Sequence, residues 1–132
     1  GSLPVGCSHP LTYLPGTLVV QGASYASSPS LAQSLAQWHG VREWPVILLV
    51  DSTNEATCSL QEFLWTFFTR FEPANDIHGR EQSVHRFHVG LEAPIVFDCR
   101  MKPWYTDVLE VDPATKQLVD DKITSMLPRK YW

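Results

Sequence analysis

Cysteine is scarce and basic charge is thin in this 132-residue chain, and neither falls in a pattern that would organise a site. Cys7, Cys58 and Cys99 are odd in number and have no C-x-x-C spacing, which excludes a disulfide framework and a zinc knuckle and leaves free thiols. Ten Lys and Arg stand against fourteen Asp and Glu, a net charge of −4 without a basic cluster, so a nucleic-acid backbone finds no neutralising surface. Long hydrophobic runs are missing too, since stretches such as Val46–Val50 stop far short of the roughly 20 residues of a membrane helix. With no signal-peptide pattern at the start, the expectation is a soluble, cytoplasmic protein. Gly1-Ser2 resembles a cloning remnant, which predicts that the chain is a piece of something longer.

What is present is the composition of one folded domain, 44% hydrophobic and 11% aromatic, long enough to bury a core. Pro, Gly and Ser concentrate in the first thirty residues, predicting a tag remnant and loose lead over 1–15 and a single compact domain over 16–132. Thr17–Val20 and Val46–Val50 are short β-branched runs that read as buried strands. Between them Ser28-Pro29 supplies a cap and a first-turn proline, and Leu31, Leu35 and Trp38 recur at helical spacing up to Gly40. A β-α-β unit of this kind favours parallel pairing. Ser59-Leu60-Gln61-Glu62 fits a capping box, followed by an apolar stripe at Leu60, Phe63, Leu64, Phe67 and Phe71 that Pro73 ends. Val84–Val89 and Pro94–Asp98 read as two further strands, and Asp112-Pro113 opens an amphipathic helix carrying Leu118, Val119, Ile123 and Met126. The predicted class is α/β, a mainly parallel sheet with helices packed on it.

Chemistry is harder to place. Asp51 ends the second strand of the β-α-β unit, where dinucleotide-binding folds keep a ribose-binding acid, but the loop Gln21–Ser28 has one glycine where the pyrophosphate turn uses three. His78, His85 and His88 lie close in sequence; on a single strand His85 and His88 would point to opposite faces, which argues against a shared metal ion. Cys99 sits between Asp98 and Arg100, where a cation could favour a thiolate, yet no histidine is placed beside it, and a small residue at a strand end is the simpler role. Arg70 and Asp76 flank Pro73 where a cation complements a helix C-terminus and an acid caps a turn. No catalytic residue and no metal ligand is assigned.

The run Phe63–Asp76 resembles the C-terminal domain of the UbiD-type decarboxylases, whose pattern there is approximately W-A-x-x-x-R-x-x-P-x-x-D, matched in order by Trp65, Arg70, Pro73 and Asp76. Ile47–Asp51 is similar to that family's apolar strand ending in acids, and Ile95–Lys102 to its later strand followed by D-A-T-x-K. Asp98 and Lys102 fit there; Cys99 and Arg100 depart, and the acid cluster after the first strand is reduced to Asp51. The resemblance runs from about Thr17 to Lys122 and gives the six matching residues structural roles.

It implies the C-terminal oligomerisation and lid domain of a decarboxylase or carboxylase acting on an aromatic or unsaturated carboxylic acid. Prenylated FMN, a divalent metal, the catalytic arginine and the paired acids then belong to a separate N-terminal flavin-binding domain or subunit, and this chain alone holds no cofactor. In approximate register the family's substrate-pocket wall falls on Arg42 and Trp44, then Phe87 and His88; a charged Arg42 and a titratable His88 would favour a polar or anionic aromatic substrate. The alternative is a free-standing small subunit or interaction module that assembles with a flavin-bearing partner. Five Trp, six Phe and four Tyr exceed what one small core encloses and point to homo-oligomerisation or partner binding through aromatic surface.

Overall fold

The computed structural model describes residues 2–41, 43–105 and 112–126. Its centre is a pair of apolar strands, β2 (Thr17–Gly22) and β3 (Val46–Val50), paired in parallel from Thr17↔Val46 to Gln21↔Val50. A third parallel strand, β7 (Ile95–Asp98), pairs with β3. These runs are continuously apolar because both faces of the sheet are covered. Leu18, Val20, Ile47, Leu49 and Val96 face helix α1 (Leu31–Gln37), while Val19, Leu48 and Val50 face the opposite layer with Phe63 of helix α3 (Leu60–Thr69). A single turn, α2 (Thr53–Ala56), precedes α3.

The sheet is mixed. β1 (Cys7–Leu14) and β4 (Ile77–His78) close it antiparallel at its two edges, giving the order β1-β2-β3-β7-β4. Residues 7–14, read from sequence as loose lead, therefore form a strand. Its irregular register, Pro10 and the positive φ of His9 suit an edge that does not pair further. Helix α1 starts later than the Ser28-Pro29 signal: Ser30 is the N-cap and Trp38 lies beyond the last turn.

The expected strand Val84–Val89 is instead a hairpin. β5 (Gln82–His85) pairs with β6 (His88–Leu91), and Arg86 and Phe87 form a two-residue turn at φ 48° and 65°. That is the left-handed geometry right-twisted strands require of a tight turn, adopted here without glycine or asparagine. His85 and His88 are consequently cross-strand partners, not opposite-facing residues of one strand. Helix α4 (Pro113–Met126) is capped as expected, with the Asp112 carboxylate accepting from the Thr115 N–H at 3.1 Å, yet it buries no side chain. Among the described residues no helix is long and apolar enough to cross a membrane.

Candidate functional site

The two ends of the parallel strands differ in kind. At the carboxyl end, Asp98 closes β7 and Arg100 follows two residues later, so in extended chain both side chains fall on one side. Arg100 donates from Nε and Nη2 to the two Asp98 carboxylate oxygens, both at 2.8 Å, and from Nη1 to the carbonyls of Ala23 and Ser28 at 2.9 and 2.8 Å. The guanidinium is fully buried (0% exposed) and ties the loop after β2 to the end of β7. Lys102 lies beside it, 3.1 Å from Asp76 Oδ2 and donating to the carbonyls of Arg70 and Asp98. Asp76 also accepts from the Glu72 N–H at 2.7 Å, and its carbonyl accepts from the Asp98 N–H at 2.8 Å.

Of the six residues that match the family motif, Arg70, Asp76, Asp98 and Lys102 are thus gathered in one network, while Pro73 and Trp65 sit outside it, Trp65 on the outer face of α3. Aromatic rings border the buried cations. Tyr25 lies 5.2 Å from the Arg100 guanidinium carbon and 5.9 Å from Lys102 Nζ; Tyr105 lies 5.6 Å from Lys102 Nζ, and Trp104 meets Tyr25 edge-on. Sequence reasoning treats Arg100 as a departure from the motif and as a cation beside Cys99; the signal for its buried role is an acid two residues before an arginine at the end of a fully buried strand. Asp51, at the end of β3, accepts from the Met101 N–H at 2.7 Å and stands 3.8 Å from Arg70. Burial pushes the Cys99 thiol up to about 12, which leaves it protonated and unreactive at neutral pH. No buried side-chain polar atom among the described residues lacks a partner.

Among the described residues this end presents no phosphate cradle. A phosphate cradle presents N–H groups, whereas the loop after β2 turns the carbonyls of Ala23 and Ser28 inward onto a guanidinium that Asp98 already neutralises. Nor do the described residues include three His, Cys, Asp or Glu placed to share a metal ion. His85 and His88 do pair across the hairpin, contrary to the expectation from their spacing, and it is the lack of a third ligand that leaves no metal centre among the described residues.

The amino-terminal end is open. Trp44 stands two residues before β3 and lines a hollow of about 280 Å³ with Leu18 of β2 and Val41. A second hollow of about 310 Å³ adjoins it at Gly40, beside Trp38 and His39. The β5–β6 hairpin leads into the amino end of β7, the strand next to β3, where the Ile95 N–H donates to the Pro45 carbonyl at 3.0 Å. A third hollow, about 290 Å³, lies at the hairpin base between Glu81 and Glu92. The base is anchored to this end by Gln37, whose amide donates to the Arg80 carbonyl at 2.6 Å, and by Arg80 donating to His39 Nδ1 at 3.3 Å. Trp44 thus sits at the amino end of β3, whereas Phe87 and His88 lie at the tip of the separate two-stranded β5–β6 sheet, of which the base is held at this end. Trp44 is half-buried against the α1-side core, whereas Phe87 at the turn and His88 beside it are exposed. Arg42 lies outside the described residues.

No protein-family model matches the chain. It is 38% identical over 98 residues to a protein of Chlamydia pneumoniae described as a subunit of 4-hydroxybenzoate decarboxylase, covering 74% of this chain and 17% of that protein. An uncharacterized protein of Chlamydia caviae is 30% identical over 118 residues, 89% of this chain and 20% of the relative. The chain thus spans about a fifth of the length of the curated relatives it matches. Among solved structures, the vanillic acid decarboxylase of Sedimentibacter hydroxybenzoicus in its open form superposes with a TM-score of 0.47 at 16% identity, over 83% of this chain and 26% of that one. With Trp65, Arg70, Pro73, Asp76, Asp98 and Lys102 in the family's order and these sequence relatives beside them, the chain is a domain related to the UbiD-type decarboxylases.

Proposed function

We propose that this domain is the assembly and lid part of a UbiD-like decarboxylase or carboxylase whose chemistry is carried by a separate flavin-binding domain or subunit. The observation that carries this reading is the contrast between the strand ends. Charges at the carboxyl end neutralise one another, while the amino-terminal end presents hollows, Trp44 and an anchored hairpin with an exposed aromatic tip. A lid needs such an end: apolar side chains that close over a substrate exclude water and fix its orientation without exchanging protons or electrons with it. The description of the Chlamydia pneumoniae relative supports an aromatic carboxylic acid as substrate. In this reading prenylated FMN and a divalent metal are held by the flavin-binding partner, and Trp44, Phe87, His88 and Arg42 form one wall of the pocket facing it.

The test is kcat/KM over a panel of aromatic acids in the assembled enzyme. Phe87→Ala and Trp44→Ala raise KM and change substrate preference by about 1–3 kcal/mol, the worth of a lost apolar pocket contact, with cofactor content unchanged. His88→Ala shifts the preference among aromatic acids that differ in ring polarity, through the loss of a polar contact. Unchanged selectivity in all three variants contradicts the wall assignment.

A further inference from the structure

The β5–β6 hairpin has two unlike faces. Its cross-strand pairs are Gln82↔Leu91, Ser83↔Gly90, Val84↔Val89 and His85↔His88, and successive pairs fall on alternate faces. Val84 and Val89 therefore share one face, while His85, His88, Ser83 and Gly90 share the other. Both histidines are exposed. They flank the two-residue turn, where directly paired residues of a tight hairpin stand roughly 5.5 Å apart at Cα, so that two imidazoles can close on one ion. Gly90 makes room for the Ser83 hydroxyl on the same face, since a Cβ there would lie 2.8 Å from Ser83 Oγ.

We propose that His85 and His88 form a two-imidazole chelate for a divalent late transition-metal ion. Imidazole suits zinc, nickel and copper, and a zinc–nitrogen bond of about 2.0–2.1 Å is within reach of both rings from directly opposed positions. Two ligands are fewer than a closed centre has, so the remaining positions of the ion stay open to water or to a carboxylate from outside the chain. Charge favours a cation here. Ser83 and Gly90 line the hollow at the hairpin base together with Glu81 and Glu92, so two carboxylates adjoin the face that carries the imidazoles. Against them stands Arg86 in the turn, while Arg80 at the base is engaged by His39. An ion held by both strands also fastens the hairpin at its free end, where Arg86 and Phe87 reverse the chain at positive φ. The site goes beyond the lid reading and needs only the hairpin itself.

The experiment is calorimetric titration of Ni2+ into the whole chain carrying Cys58→Ser, which removes the exposed thiol as a competing ligand. The expected result is one ion bound per chain, weakened at least about tenfold by His85→Ala and by His88→Ala. His9→Ala, at an exposed histidine of β1, leaves it unchanged. All three histidines are exposed, so each variant retains the far-ultraviolet circular dichroism of the parent. A second readout is amide exchange over Gln82–Leu91, which slows by roughly tenfold with free Ni2+ at about ten times its dissociation constant, because the chelate must open before the strands part. Failure of the chain to bind one ion, binding that survives His85→Ala, or binding that leaves hairpin exchange unchanged each overturns the site. His85 has no part in the pocket wall, so loss of the site through His85→Ala and loss of the lid reading through Phe87→Ala and Trp44→Ala are told apart.

Discussion

Arg100 and Arg70 are both arginines facing carboxylates at the same end of the sheet, and their surroundings give them different weight. Arg100 has no exposed surface and makes a two-pronged bond with Asp98, so removing it strands a buried carboxylate and two carbonyls. Arg100→Met is expected to lower the unfolding free energy in chemical denaturation by about 3–5 kcal/mol. Arg70 is one-fifth exposed and 3.8 Å from Asp51, a distance and a solvation at which an ion pair contributes less than about 1 kcal/mol, so Arg70→Ala has the smaller effect. Equal losses in the two variants would contradict the network's description. Little of this is legible in the sequence. Asp98 and Lys102 stand out through the family pattern, but the contacts of Arg100 join positions some 70 residues apart, which no local spacing shows.

Elements are legible where burial is one-sided or complete. The runs Thr17–Val20 and Val46–Val50 announce themselves because helices cover both sheet faces, and the Ser59 signal marks the start of α3, where the serine hydroxyl accepts from the Glu62 N–H at 3.1 Å. The α3 stripe misleads in part, since periodicity records a continuous apolar arc and cannot say that Phe63, Phe67 and Phe71 meet the core while Leu60 and Leu64 face outward. β1 escapes sequence reading because its exposed, proline-bearing sequence has no alternation. The hairpin escapes it because Arg86-Phe87 lacks the residues that ordinarily mark its turn. Left-handed backbone costs a non-glycine residue about 1–2 kcal/mol, so Phe87→Gly is expected to strengthen the hairpin by about 1 kcal/mol after glycine's own entropic penalty. The check is native-state amide exchange over Gln82–Leu91, which slows by about fivefold; faster exchange would contradict the turn assignment. Phe87 keeps that conformation in full solvent, so in the proposed lid role the same variant, though it firms the hairpin, loses the aromatic tip and raises KM.

At the scale of the whole molecule, the described residues separate a closed, self-neutralised end from an open one and leave the outer sides of α3 and α4 exposed. This is the organisation that the proposed assembly role calls for. The chain's span of about a fifth of its curated relatives agrees with that organisation. The central claim, that this domain assembles and covers while a flavin-bearing partner reacts, is tested most directly by purifying the chain alone and together with a prenylated-FMN-bearing UbiD-like partner, reading flavin absorbance and CO2 release from aromatic acids. The account predicts neither signal from the chain alone, and co-purification with both signals from the pair. Stoichiometric flavin on the isolated chain, or CO2 release by it, would contradict the account.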